Sequence, residues 1–289
     1  MIDLHTHSNA SDGSLSPAAL IDLAADQGLS AIALTDHDTI DGIEAARQEA
    51  LGRGIRFIPG VELEIARPRK IVQGEFHLLG LGINRPGGAF LEAMAELARL
   101  REERNLKILG CMRDQGIPVT LEEVAALSGG GSIGRPHFAS LLVKRGIVRT
   151  REQAFSRFLA QGKPFYVPKG ALEFHCALKI IKESGGIAVL AHPMSLYVSW
   201  GNLPALIGEL KEQGLDGIEA WHPTAKFRAC KRLEVLGLSL GLYITAGSDF
   251  HGETRPDRKL GITSGGRRIE ASLLEGIPPL AYSSGDRIS

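Results

Sequence analysis

Two histidines and an aspartate stand within the first twelve residues, in DLHTHSNASDG: His5, His7 and Asp12. In an extended segment residues i and i+2 point to the same side, so MIDLHTH as a strand aims two imidazoles at one point. That is a metal-ligand spacing, although HxH by itself fits equally a surface strand whose histidines meet water. The same residue types recur along the chain. Asp36, His37 and Asp38 close SAIALTDHD, Glu62 ends an apolar run in RFIPGVELE, and His77 lies in EFHLLGLGI. His192 follows IAVLA, His222 follows IEAW, and LYITAGSDFHGE ends in Asp249 and His251. Singly these are ordinary: a core histidine, a carboxylate at a helix start, a Gly-Ser-Asp turn. Independent core or turn residues have no reason to repeat after successive strands, whereas functional groups do gather at strand C-termini in barrels and open parallel sheets. Imidazole with carboxylate and no thiolate suits Mn2+, Zn2+ or Fe2+ rather than a Cys-rich structural zinc. Two-cation sites bridged by carboxylates are typical of phosphoryl-transfer hydrolases. The chemistry expected is metal-assisted hydrolysis.

The elements that must position these residues are short apolar strands alternating with helix-like stretches, the pattern of an α/β protein with a mainly parallel sheet or a barrel. The first helix is marked by Ser16 as N-cap, Pro17 at N1, apolar Leu20, Leu23 and Ala24, and Gly28 after its end. Between about residues 90 and 165 the alternation gives way to helical text, AFLEAMAELARLREERNLKILGCMRDQG and beyond, with SGGGSIG as a flexible joint. This reads as an inserted helical subdomain over 99–165, dividing a barrel into 1–98 and 166–289.

At 289 residues the chain is long enough for one large core. Lys+Arg and Asp+Glu number 33 each, a net charge of zero, so there is no basic surplus to hold long nucleic acid. Bound cations can still give a short anion local positive charge. Cys111, Cys176 and Cys230 form neither a CxxC nor a disulfide framework, which fits a reducing cytoplasm. No apolar run is long enough for a membrane span, and no leader pattern precedes the first polar cluster.

Taken together, DLHTHSNASDG, ALTDHDTIDG, PGVELE, the histidine of EFHLLG, LAHP and GSDFHG resemble the PHP family, named for polymerase and histidinol phosphatase. The resemblance implies a distorted (β/α)7 barrel with up to three divalent cations, Mn2+ foremost, at the strand ends. It implies one metal on His5, His7, Glu62 and Asp249, a second shared by Glu62 with His77 and His192, and a third on Asp12, His37 and His251. Some members carry a histidine where this chain has Asp12; a harder oxygen ligand there favours Mn2+. GSIGRPHFA, with Arg135, Pro136 and His137, resembles the insertion motif of the small stand-alone nucleotide phosphoesterases. A planar guanidinium beside such a centre suits bidentate phosphate recognition.

By that resemblance Arg135 and His222 serve catalysis, and Asp12, Arg135 and His222 contact substrate; Ser8, close in sequence to HTH, is expected to donate one hydrogen bond to it. The insertion is expected to close over the barrel mouth, and Trp221 to stack on a base. The expected reaction is hydrolysis of the 3′-phosphate of 3′,5′-bisphosphonucleotides such as 3′-phosphoadenosine 5′-phosphate. Trimming of short oligoribonucleotides from the 5′ end, histidinol-phosphate hydrolysis and a non-enzymatic polymerase-accessory role are the alternatives.

Overall fold

The computed structural model describes residues 1–71, 73–128, 131–278 and 280. Gly129 and Gly130 of the expected joint lie outside them. Seven strands form one sheet in chain order: β1 (Ile2–Asp3), β2 (Ala31–Leu34), β3 (Arg56–Glu64), β4 (His77–Leu81), β5 (Ile187–Leu190), β6 (Gly217–Trp221) and β7 (Tyr243–Ala246). The residues following β1 and β7 then meet, with Asp249 N donating to His5 O at 2.9 Å and His7 N to Phe250 O at 2.9 Å. This brings the sheet nearly round into a barrel. The barrel is distorted because β4 runs antiparallel to both β3 and β5, all other neighbours being parallel. The reversal has a functional effect: His77, the first residue of β4, pairs with Glu64, so an N-terminal strand residue joins the C-terminal ends of the rest.

The barrel strands are buried along nearly their whole length, and their apolar side chains form one large core with α7 (Phe174–Glu183), α8 (Leu203–Glu212) and α9 (Phe227–Ser239). A second apolar layer joins β2 and β3 to α1 (Pro17–Asp26) and α2 (Ile43–Arg53). Helix α1 starts as its sequence dictates, with Ser16 Oγ accepting from Ala19 N at 3.2 Å and Gly28 at φ 75° just past its end.

Between β4 and α7 lie α3 (Gly88–Asp114), α4 (Leu121–Ala125), α5 (Arg135–Lys144), α6 (Arg151–Ala154) and a π-helical turn at Phe155–Leu159. α3 is one unbroken helix of 27 residues. Its inward stripe runs Phe90, Met94 and Leu97 into the barrel core, then Arg101, Arg104 and Asn105, then Ile108, Leu109 and Met112 into a separate core made with α4 to α6. The insertion lies across the barrel mouth. Ser132 N donates to Ala10 O at 3.3 Å, and Arg151 Nη1 to Thr254 O at 2.8 Å. Among the described residues no helix is long and apolar enough to cross a membrane.

Candidate metal centre

Beyond β1 the chain stays extended. Thr6 turns outward, its Oγ1 donating to Ala33 O at 2.6 Å, which sends its neighbours His5 and His7 inward. Both are fully buried and their Nε2 atoms lie 3.1 Å apart. Glu62, near the end of β3, stands between them and the rest. Its Oε2 lies 3.2 Å from His5 Nε2, 3.2 Å from His7 Nε2 and 3.1 Å from His37 Nδ1. Its Oε1 lies 2.8 Å from His77 Nδ1 and 2.9 Å from His192 Nε2. Asp249 Oδ1 completes one side at 3.4 Å from His7 Nε2, and His251 Nε2 meets Asp12 Oδ1 at 3.2 Å on the other.

Potential ligand atoms therefore group as His5, His7, Glu62 and Asp249; as His7, Asp12, His37 and His251; and as His37, Glu62 and His77, all within 4.8 Å in each group. Among the described residues, buried His7 Nδ1, His37 Nδ1, Glu62 Oε2 and His251 Nε2 make no hydrogen bond of good geometry, although the last three have oppositely charged groups 3.1–3.2 Å away. Such burial is costly unless something else satisfies these atoms. Lone-pair donors of imidazole and carboxylate converging at such distances fit divalent cations.

The electrostatics of the chain alone point the same way. Burial opposes protonation of His5, but the carboxylates of Glu219, Glu62 and Asp249 outweigh it and push its pKa well above the usual range. His7, against the same burial, is raised to about 9 by Asp249 and Glu62. Burial wins at His37, down to about 3 despite Glu62 and Asp12. Glu62 resists burial through His37, His5 and His77, and its carboxyl is held well below the carboxylate range.

Several supports of this cluster carried no motif. Glu219, the one acid of β6, is fully buried; its Oε1 accepts from His5 Nδ1 at 2.9 Å and its Oε2 from His192 N at 2.7 Å. Gly247 leaves room for this pair, because a Cβ there would come within 2.2 Å of His5 Cβ and 2.7 Å of Glu219 Oε1. Asp38, His192 and Asp249 adopt φ of 52°, 28° and 52°, strain of the kind that persists where surrounding contacts hold it. At Asp38 those contacts are Arg101 Nη2 and Lys169 Nζ, each 2.7 Å from Oδ2.

Beside the cluster, a cavity of about 120 Å³ is lined by Asp12, His37 and His77, by the carboxylates of Glu64 and Glu75, and by Arg101, Arg104, Arg135, Lys169 and Arg255. Among the described residues Arg101 and Lys169 have carboxylate partners and Arg104 has none within hydrogen-bond reach. It is 4 % exposed, its Nη2 donates only to Asn105 Oδ1 at 3.1 Å, and its Nε is unpartnered. Burial and the like charges of Arg101 and Arg135 push its guanidinium down to about 9. A guanidinium still holds its proton at neutral pH, so an anion in the cavity is what would relieve it. A wider cleft of about 760 Å³ continues outward past Arg135, Phe155, Tyr166 and Tyr197.

Arg135, at the start of α5, faces both spaces with its guanidinium about 6 Å from the Phe155 and Tyr166 rings, at 6.0 and 5.9 Å. His137 turns back to accept from Gly134 N at 2.9 Å. His222 lies on the wall of a neighbouring cavity with His192 and Asp249, its Nδ1 2.6 Å from Thr224 Oγ1 and its Nε2 3.2 Å from Arg258 Nη1. Ser8 and Trp221 are not among the residues that line these cavities. Ser8 is fully buried, its Oγ donating to Asp36 at 2.6 Å and accepting from Ala10 N at 3.1 Å, so its hydroxyl is committed to holding the HTH loop. Trp221, the last residue of β6, follows a register shift and packs against Phe227 and beneath Arg267.

Comparison with known proteins converges on the same chemistry. The chain is 34 % identical over 251 residues, 86 % of its length and 84 % of the relative's, to the 5′-3′ exoribonuclease Rnm of Escherichia coli. It is 33 % identical over 263 residues, 91 % of each, to the 3′,5′-nucleoside bisphosphate phosphatase of Chromobacterium violaceum. Among solved structures, an amidohydrolase from Chromobacterium violaceum with bound sulfate and no metal superposes with a TM-score of 0.82 at 31 % identity, covering 96 % of this chain and 92 % of that one. A candidate metal-dependent phosphoesterase from Bifidobacterium adolescentis gives 0.84 at 26 %, covering 99 % and 98 %. With the PHP domain profile matching residues 3–154, from the strand before the HxH to the end of α6, this barrel is that of a metal-dependent hydrolase and the chain belongs to the PHP domain family.

Proposed function

We propose that the protein removes the 3′-phosphate from 3′,5′-bisphosphonucleotides, such as 3′-phosphoadenosine 5′-phosphate, giving the 5′-monophosphate and phosphate. The observation that carries this reading is Arg104, a buried arginine without a carboxylate partner among the described residues, which lines the same cavity as Asp12, His37 and His77 of the cluster. Such a cavity suits a substrate with two anionic groups, one at the cluster and one at Arg104. The similarity to the Chromobacterium violaceum phosphatase supports it.

In this reading His5, His7, Glu62 and Asp249 hold one divalent cation, Glu62 with His77 and His192 a second, and Asp12, His37 and His251 a third, with Mn2+ the preferred ion. Bound cations supply Lewis acidity and acidify water for in-line attack on phosphorus. The chain's own groups do the rest. Arg104 and Arg135 bind and orient the second phosphate, so that remote binding energy positions the reacting one. Asp12 borders the reacting phosphate, and His222 contacts it or passes a proton to the leaving oxygen. The helices over 99–165 form a lid on the barrel segments 1–98 and 166–289, excluding water that would weaken these charges.

A second reading, stepwise trimming of short oligoribonucleotides from the 5′ end, is favoured by the outer cleft, whose Tyr166, Tyr197, Arg67 and Arg69 offer stacking and charge to further nucleotides. Phosphate release from 3′-phosphoadenosine 5′-phosphate, a 5′-monophosphate and histidinol phosphate, with and without Mn2+, tests the proposal. The bisphosphate should be turned over fastest and only with metal. Faster turnover of histidinol phosphate would overturn it.

A further inference from the structure

Arg255 follows the GSDFHG segment, in GETRPDRK, and no motif marks it. Its side chain lines two adjoining cavities at once, the one holding Asp12, His37 and Arg135 and the one holding Glu62, His192, His222 and Asp249. It thus stands where both halves of the centre are in reach. Its guanidinium makes no hydrogen bond or ion pair with the described residues, whereas Arg258, three residues on, is tied to Asp249 Oδ2 at 2.9 Å.

The loop that carries it is fixed at its base. Thr254 Oγ1 donates to Asp12 O at 3.2 Å and His251 O at 3.0 Å, Glu253 N donates to Ser14 Oγ at 2.9 Å, and Arg151 of the insertion holds Thr254 O. Pro256 stiffens the next step of backbone. Burial works against the charge of Arg255, but Asp249 and Asp12, then Glu75 and Glu62, hold its pKa up. Cations seated among those carboxylates would neutralise them. Glu75, which lines both cavities and is no ligand in this reading, stays beside the guanidinium, and the substrate is the further anion within its reach.

We propose that Arg255 is a catalytic residue whose N–H groups meet the non-bridging oxygens of the phosphate being hydrolysed. The proposal rests on the phosphoesterase reading above. Water oxygen bonds to phosphorus while the bond from phosphorus to the ester oxygen breaks, its electron pair going to that oxygen. One water proton passes to the ester oxygen and the other stays with the phosphate. Arg255 keeps its protons and stabilises the charge that spreads over the equatorial oxygens.

The test uses the full chain loaded with Mn2+ and the variants Arg255→Ala and Arg255→Lys. Four quantities are read: kcat on 3′-phosphoadenosine 5′-phosphate, kcat on p-nitrophenyl phosphate, calorimetric affinity for inorganic phosphate, and bound metal. Arg255→Ala should lose about 100-fold in kcat on both esters, with weaker phosphate binding, unchanged metal content and partial recovery in Arg255→Lys. If Arg255 only balances the acidic cluster, its removal instead tightens metal binding and leaves kcat within about threefold of the parent. That result, or loss of metal from Arg255→Ala, overturns the proposal. If the parent hydrolyses p-nitrophenyl phosphate but not the bisphosphonucleotide, the substrate reading fails and Arg255 is judged on p-nitrophenyl phosphate.

Discussion

Replacing Glu219 by Gln exchanges one oxygen for an NH2 and leaves the shape of the side chain alone. In the parent both oxygens accept, one from His5 Nδ1 at 2.9 Å and one from His192 N at 2.7 Å, in a fully buried setting. An amide has one acceptor. The backbone N–H of His192 cannot change its role, so the carbonyl oxygen goes there and the NH2 faces His5. His5 must then present a lone pair at Nδ1 and carry its proton on Nε2, the atom that lies 3.1 Å from His7 Nε2 and 3.2 Å from Glu62. A proton there blocks a metal. Partners that orient metal-binding histidines are worth about 10- to 100-fold in affinity, or about 1.4–2.8 kcal/mol. Mn2+ titration of metal-free Glu219→Gln should show a loss of that size, with a changed Nδ1 resonance of His5 by nitrogen NMR and a preserved circular dichroism spectrum. Parental affinity and an unchanged resonance would refute the reasoning.

Glu62→Ala should cause the largest loss of bound metal of any single replacement at the centre, read by elemental analysis after dialysis, because both Glu62 oxygens serve separate histidines. Arg104→Met removes a buried charge without a carboxylate partner; thermal melting should rise while KM for a bisphosphonucleotide rises about tenfold or more. In the metal-free chain His7 has a folded pKa of about 9 against 6.5 when exposed. Its stabilisation is therefore complete below pH 6.5 and is lost as pH climbs to about 9. Melting of the metal-free protein should fall across that window, and saturating Mn2+, which needs neutral imidazole, should abolish the fall.

The ring of acids and histidines was legible because each member interrupts or ends an apolar strand, and a barrel has one place to put such interruptions. His77 was the exception in position, since only the reversal of β4 brings a strand's first residue to the mouth. Glu219 left a signal of the same kind, a lone acid in GIEAW, whose strand is buried throughout. Arg101 and Arg104 were harder to see, because REERN looks like a solvated helix face. Their spacing gives them away: they continue the inward stripe of Phe90, Met94 and Leu97 and precede that of Ile108 and Met112. Trp221 as a base-stacking ring rests on its aromatic type alone; in the fold its face is taken by Phe227 and Arg267. Ser8 carries the weakest signal, nearness in sequence to the histidines, and its hydroxyl donates to Asp36.

The unbroken run of α3 makes a single rod, about 40 Å long at 1.5 Å per residue, of which one end is a wall stud of the barrel and the other the spine of the helices proposed above as a lid. A hinge at the lid's entry would have to break helical hydrogen bonds beside Arg101 and Arg104. Opening for substrate is thereby referred to the other attachments, at Arg151 with Thr254 and at Ser132 with Ala10. The lid should swing about its own spine, with the two arginines staying in register with the barrel whether the door is open or shut.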